Sequence, residues 1–283
     1  MKKVLSVLVL LMMVSGFTFA SGGNDSKPAS KTTHKPHTIS VGGSTSVTPL
    51  MELFQAEYEK INSNIKITIS GTGSGDGITG TANGTYEIGM SSRELTPTEI
   101  GTGLEPLVIA IDGIAVVVNN KNPVSDLTLA QIKEIYTGKI TRWEQLGAEA
   151  AGKTGAIAVI SRESGSGTRG AFQELLKFTD ANLVPGAIIF DGTGAIKSAV
   201  AGNADAIGYI SLGSLDSSNK ALKIEHIAAT GDNVKNGSYK IARPFILITR
   251  KSALINVKVK AFMDWIMSDA GQKIVKKSWI SVR

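Results

Sequence analysis

The sequence predicts an α/β protein with a largely parallel sheet, on three observations. Strand-like and helix-like segments alternate from Thr38 to the C-terminus. The joins from strand to helix are rich in glycine, serine and threonine. Leu104 to Val118, the most apolar stretch beyond the N-terminal leader, reads as buried strand. Such alternation is the mark of strands joined by crossover helices that cover both faces of a sheet.

Thr38 to Val41 is the first strand, and Pro49 to Ile61 places Leu50, Leu53, Phe54 and Tyr58 at helical spacing. Ile65 to Ile69 alternates as a half-buried strand does, and the glycine-rich Gly71 to Gly77 leads from it into a helix. Glu87 to Met90 is another short strand, and Leu104 to Val118 is expected to hold two buried strands broken near Asp112-Gly113. Leu129 to Tyr136 is a helix ended by Gly138, where glycine suits a C-cap. Ala156 to Ile160 reads as a buried strand, Ala171 to Leu176 as the helix behind it, and Ala242 to Thr249 as a strand. Val257 to Trp265 and Gly271 to Lys277 are terminal helices, and no internal repeat is visible.

Ahead of this pattern, Met1-Lys2-Lys3, the apolar Val4 to Val14 and a small residue at Ala20 have the layout of a secretory signal peptide over residues 1–20. The apolar core falls short of the roughly 18 residues a membrane span needs, so cleavage after Ala20 is expected rather than anchoring. Residues 21–37 hold Ser, Lys, Pro and Thr with no apolar side chain larger than alanine, which predicts a disordered tether with His34 and His37 solvated. The protein is thus expected outside the cytoplasm: periplasmic, cell-surface or secreted. There is no cysteine, which rules out both a lipid-attachment cysteine and disulfides. The formal charge of +6 includes Lys2 and Lys3, and the remaining excess is scattered, a poor footprint for nucleic acid.

Several motifs fail on context. Gly147 to Thr154 satisfies the P-loop pattern, but a helix-like segment precedes it and a strand follows, the reverse of what phosphate binding at a helix N-terminus requires. Gly75 to Gly80 matches the dinucleotide pattern, yet no acidic strand end sits about twenty residues on. His226 is the one histidine beyond the tether and no nucleophile elbow surrounds Ser74 or Ser166, so neither serine catalysis nor a transition-metal site is expected.

What stands out is Ser161 to Phe172, where a buried strand passes through Arg162-Glu163-Ser164-Gly165-Ser166-Gly167-Thr168 into a helix. Helix N-termini offer unpaired N–H groups and a partial positive charge, glycines admit a ligand to those amides, and arginine adds a forked cation. The segment is suited to holding a small oxyanion. Gly42 to Pro49 and Gly73 to Gly77 repeat the chemistry at strand-to-helix turns, and Ser91-Ser92-Arg93 closes a strand. Each alone reads first as a cap or turn, whereas four together point to a shared site at the carboxyl ends of the strands.

On Gly43-Ser44-Thr45-Ser46, Gly73-Ser74-Gly75, Ile88 to Arg93 and Arg162 to Thr168, the chain resembles the phosphate-binding proteins of phosphate-specific ABC transporters. Tyr136 to Trp143 and Ala206 to Tyr209 support the likeness, which runs from about Thr38 to the C-terminus. The resemblance implies a two-lobed periplasmic-binding-protein fold, with mixed, mainly parallel sheets joined by two hinge strands at Pro106 to Val118 and Ile241 to Ile248. Lobe I would comprise 38–114 and 240–283, and lobe II 115–239. It implies a monomeric, non-enzymatic receptor without cofactor or metal, which captures inorganic phosphate and delivers it to a membrane permease. The ligands would fall on Thr45, Ser46, Ser74, Ser92, Arg162, Ser166, Gly167 and Thr168. Many members carry at the Ser92 position an aspartate that accepts the phosphate's proton and so rejects sulfate. Asp112 and Asp76 are the candidate replacements, each with an ordinary reading as turn residue or N-cap. A receptor for sulfate or molybdate, or a secreted phosphatase, stays open as an alternative.

Overall fold

The computed structural model describes residues 36–283, so the signal peptide and nearly all of the tether lie outside the described residues. The chain begins β1 (His37–Gly43), α1 (Thr48–Ile61), β2 (Ile65–Gly71), α2 (Ser74–Asn83) and β3 (Ile88–Ser91), then a short α3 (Pro97–Gly101) and the long β4 (Leu104–Val118). There follow β5 (Asp126–Leu127), α4 (Leu129–Tyr136), β6 (Ala158–Arg162), α5 (Gly167–Leu176), β7 (Ile188–Phe190), α6 (Gly192–Gly202) and β8 (Ala206–Ser211). The two-residue pieces β9 (Lys220–Ala221) and β10 (Lys223–Ile224) precede α7 (Gly231–Lys235), β11 (Ala242–Arg250), α8 (Val257–Ile266), α9 (Asp269–Val275) and β12 (Ile280–Ser281).

The main strands follow one another in the order β2-β1-β3-β11-β4-β8-β6-β7. Both ends of this order are parallel, β2-β1-β3 and β8-β6-β7, and the middle is antiparallel through β11 and β4. β1 opens at His37, one residue inside the segment read as tether; His37 pairs with Ile65, and Asn256 Nδ2 lies 3.2 Å from its Nε2. The break expected at Asp112-Gly113 does not occur. β4 runs unbroken and changes partner there instead, pairing with β11 up to Gly113 and with β8 from Ile114. A strand can exchange neighbours without bending out of the sheet because every backbone group still finds a partner.

Two sets of cores flank that crossing. Leu50, Phe54 and Tyr58 of α1 pack with Phe262 and Ile266 of α8 and Val275 of α9 against β1, β3 and β11, while Ile78 of α2 meets Ile246 and Ile248 on the other face. Beyond the crossing, Ile132, Ile135 and Tyr136 of α4 and Phe172 of α5 cover one face of β4, β6 and β8, and Ile196 and Val200 of α6 cover the other. Covering both faces makes the strands near-continuously apolar, which is why Ile114 to Val118 are all fully buried. Close approach of α2 depends on Gly77, where a Cβ would sit 2.8 Å from Gly43 Cα and 2.7 Å from the Met90 carbonyl oxygen.

α3 is secured by a capping box in which Thr96 Oγ1 accepts from Glu99 N and the Glu99 carboxylate accepts from Thr96 N. Arg93 Nη1 and Nη2 donate to the same carboxylate at 2.9 and 2.7 Å. The bonds from Arg93 outweigh partial burial and hold the Glu99 carboxyl down at about 2.

Two outcomes follow from this packing. Phe54→Ala, which empties a fully buried site edge-on to Trp265, should lower the unfolding free energy by about 3–5 kcal/mol in urea titrations. Ionised Glu99 stabilises the fold above its ordinary value of 4.5, and that contribution disappears as pH falls through about 2. Denaturation measured across that range should therefore show a shallower acid loss for Glu99→Gln than for the parent chain.

Candidate functional site

Four helices begin at the seam between the two sets of cores, and residues at their starts bond to one another. The turn before α1 carries Ser44, Thr45 and Ser46; α2 starts at Ser74, α5 at Gly167 and α6 at Gly192. Across the seam, Ser46 Oγ lies 2.8 Å from Thr168 Oγ1 and Thr45 Oγ1 lies 3.2 Å from Thr193 Oγ1. On one side, Ser44 Oγ donates to Ser92 Oγ at 2.9 Å, and Ser74 Oγ accepts from Ser92 N at 3.1 Å. A backbone bond from Gly75 N to Gly165 O, 3.0 Å long, ties the start of α2 to the loop before α5. The convergence gathers the first N–H groups and positive ends of several helices around a small set of hydroxyls, and some of those N–H groups bond to it, as Thr193 N does to Thr45 Oγ1.

Arg162, the last residue of β6, supplies the fixed charge. Its side chain is 2% exposed. Nη2 donates to Thr45 Oγ1 at 3.1 Å and Nη1 to Thr193 Oγ1 at 3.4 Å, so the fork reaches hydroxyls from two different helix starts. Nε and Nη2 also donate to the two Glu163 carboxylate oxygens at 2.7 and 2.6 Å. Burial would raise the Glu163 carboxyl, but the bonds and charge of Arg162 outweigh it and hold it below the usual range. The strand end is pinned from behind, with Tyr209 OH accepting from Arg162 N and Arg169 Nη1 donating to Arg162 O.

Of the residues singled out from sequence, Thr45, Ser46, Ser74, Ser92, Arg162, Gly167 and Thr168 share this cradle. Gly167 sits so close to Ser74 and Ser92 that a Cβ would lie 2.9 Å from Ser92 Oγ and 2.8 Å from Ser74 Cβ. Ser166 is buried as the N-cap of α5, its hydroxyl accepting from Arg169 N. Asp76 is exposed in the first turn of α2, on the rim of a groove it lines with Thr45, Glu163 and Gly192. Asp112 is fully buried in β4, accepting from Ser211 Oγ at 2.9 Å, Gly213 N at 3.3 Å and Arg243 Nη2 at 3.1 Å. Burial pushes its carboxyl upward against the pull of Arg243. Its link to the cradle runs through Arg243, whose Nη1 donates to Ser92 O at 3.3 Å.

Sequence reasoning passed over Thr193, although Phe190-Asp191-Gly192-Thr193-Gly194 carries the same strand–glycine–hydroxyl–helix signature as the other turns. It also passed over Ser44 as a hydroxyl of the cradle, and over Arg243, which no local pattern marks. The false P-loop is a 3₁₀ helix and turn ahead of β6, as its order required.

Comparisons with known proteins bear on the fold and the family. The model of the PBP superfamily domain matches residues 23–270. The phosphate-binding protein PstS of Borreliella burgdorferi is 30% identical, over 84% of this chain and 88% of its own length. PstS of Bacillus subtilis is also 30% identical, over 97% of this chain and 92% of its own. Among solved structures, one assigned as a phosphate ABC transporter substrate-binding protein from Clostridium perfringens, with bound phosphate, aligns with a TM-score of 0.84 and 46% identity, covering 87% of this chain and all of that one. An ABC-type phosphate transport receptor from Vibrio cholerae aligns with a TM-score of 0.70 and 34% identity, over 86% of this chain and 99% of its own. The architecture is thus the α/β fold of the periplasmic binding proteins, built on one mixed sheet, and the chain belongs to their superfamily, in the family of the phosphate-binding proteins of phosphate ABC transporters.

Proposed function

We propose that this protein is the extracytoplasmic receptor of a phosphate ABC transporter, holding inorganic phosphate in the hydroxyl cradle and presenting it to a membrane permease. The observation that carries the reading is the buried Arg162 fork joined to hydroxyls at two helix starts on opposite sides of the seam. A dehydrated oxyanion there would be met by donors on every side: N–H groups, serine and threonine hydroxyls, and one guanidinium. Thr45, Ser46, Ser74, Ser92, Arg162, Ser166, Gly167 and Thr168 are the proposed contacts, with Thr193 added. The lobes are proposed to comprise 38–114 with 240–283, and 115–239, closing on the ligand about β4 and β11.

A receptor fits better than a phosphatase. His226 lies on the surface bonded to Asp126, and no histidine accompanies the cradle serines among the described residues. No helix among the described residues is long and apolar enough to cross a membrane, and the leader-like residues 1–20 support export. We infer action as a monomer without cofactor.

Titrating phosphate into protein first stripped of it should give saturable heat, and a thousandfold excess over Kd should stabilise the fold by about 4 kcal/mol, raising Tm by roughly 8 °C or more. Equal competition by sulfate or molybdate would reassign the ligand, and steady phosphate release from a model ester would reassign the class. Arg162→Ala should raise the phosphate Kd about a hundredfold or more, because it removes the cation and leaves Glu163 unpaired at the site. Gly167→Ala should weaken phosphate binding about tenfold, since its methyl group meets Ser74 and Ser92 when the two sides are together, the cost of overpacking being about 1–3 kcal/mol.

A further inference from the structure

Arg243 belongs to none of the glycine-and-hydroxyl turns, yet it reaches the cradle from behind through β11. Its side chain is 2% exposed and that of its partner Asp112 is 1% exposed. Nη1 donates to the Ser92 carbonyl at the end of β3, Nη2 donates to Asp112 Oδ2, and the guanidinium carbon lies 5.4 Å from the centre of the Phe245 ring. Nε is buried and has no hydrogen-bond partner among the described residues.

That arrangement is unfavourable as a stability device. Desolvating an ion pair usually costs as much as its attraction returns, and an unpaired buried donor adds a further penalty. The charge of Arg162 is also felt at Arg243, where it opposes the second positive charge. Two guanidiniums, each with one carboxylate, therefore share the interior beside the hydroxyls: Arg162 with Glu163, and Arg243 with Asp112. An anion in the cradle would relieve the repulsion between the two cations, and relieve more of it if it carried two charges.

Accepting the cradle as an oxyanion site, we propose that Arg243 is its second cation and biases it toward doubly charged over singly charged oxyanions, with Asp112 as the counter-ion that limits this pull. The groups facing the pair come from every neighbouring element: the Ser92 carbonyl just after β3, Arg162 from β6, Tyr209 and Ser211 from β8, the Gly213 N–H beyond it, and Tyr239 before β11. Burial raises both tyrosines, so they stay neutral. Arg169, behind Arg162, is tied to Asp180. Arg162, Glu163, Arg243 and Asp112 are left to set the field within, with Asp76 and Asp191 on the rim of the groove.

The two partners of the pair then act in opposite directions. Calorimetric titration of phosphate at about pH 5.5, where the anion is mainly singly charged, and at about pH 8.5, where it is mainly doubly charged, reads this directly. The wild-type protein should bind about tenfold more tightly at the higher pH, the equivalent of about 1.4 kcal/mol. Asp112→Asn, which exposes the cradle to an uncompensated cation, should tighten binding at the higher pH and steepen that preference. Arg243→Met should weaken binding, more at the higher pH than at the lower, and Arg243→Lys should recover most of that loss. A merely structural pair predicts weaker binding in both variants by the same factor at each pH, which would overturn the proposal. Should the variants fail to fold, the wild-type profile still decides, because binding that is flat or weaker at the higher pH is incompatible with a bias toward double charge. No phosphate binding by the wild type at either pH would overturn the oxyanion reading itself, and this proposal with it.

Discussion

A helix starts with backbone N–H groups that its own turns cannot satisfy, and in this chain four helices start within reach of one another. Nearly everything else about the seam answers to that constraint. Serine and threonine side chains crowd the same few positions, and the hydroxyls spread across both sides so that Ser46 meets Thr168 and Thr45 meets Thr193. The parallel ends of the sheet place these starts together, since each strand delivers its following helix to the same edge. The antiparallel middle, β4 against β11, fixes how the two edges face each other.

Charge is handled with restraint. Each guanidinium near the hydroxyls has a carboxylate of its own, so the two cations stand beside the helix starts with their charge partly balanced. The hydroxyls and the Arg162 fork are paired with one another across the seam. That arrangement rests on close packing, which is where Gly77 and Gly167 matter: each stands where a methyl group would collide with backbone or with the serines Ser74 and Ser92.

Most of this was legible before the structure. Alternating segments gave the α/β class, and Arg162 to Thr168, Thr45-Ser46 and Ser74 marked three of the four helix starts through their local chemistry. Thr193 carried the same signature but in a weaker strand context, because Ile188–Phe190 is a three-residue edge piece. Asp112-Gly113 looked like a turn since aspartate and glycine favour turns, whereas the ladder on both sides keeps the strand extended. Arg243 was invisible for a different reason. Its role arises from residues far apart in the chain, Ser92 and Asp112, and no local pattern records such a meeting.

The route of the chain also orders how the molecule can be made. The core beneath α1 is completed by Phe262 and Ile266 of α8 and Val275 of α9, more than 200 residues after Leu50 and Phe54. The buried members of the second set of cores come from one uninterrupted stretch, Ile114 to Ile241, with Ile111, Ala242 and Ile280 packed at its margin. As the chain emerges from its N-terminus onward, the middle of the sequence can therefore collapse while the first segments wait for the last. The opening segments supply most of that first core, yet it closes only once the final helices arrive.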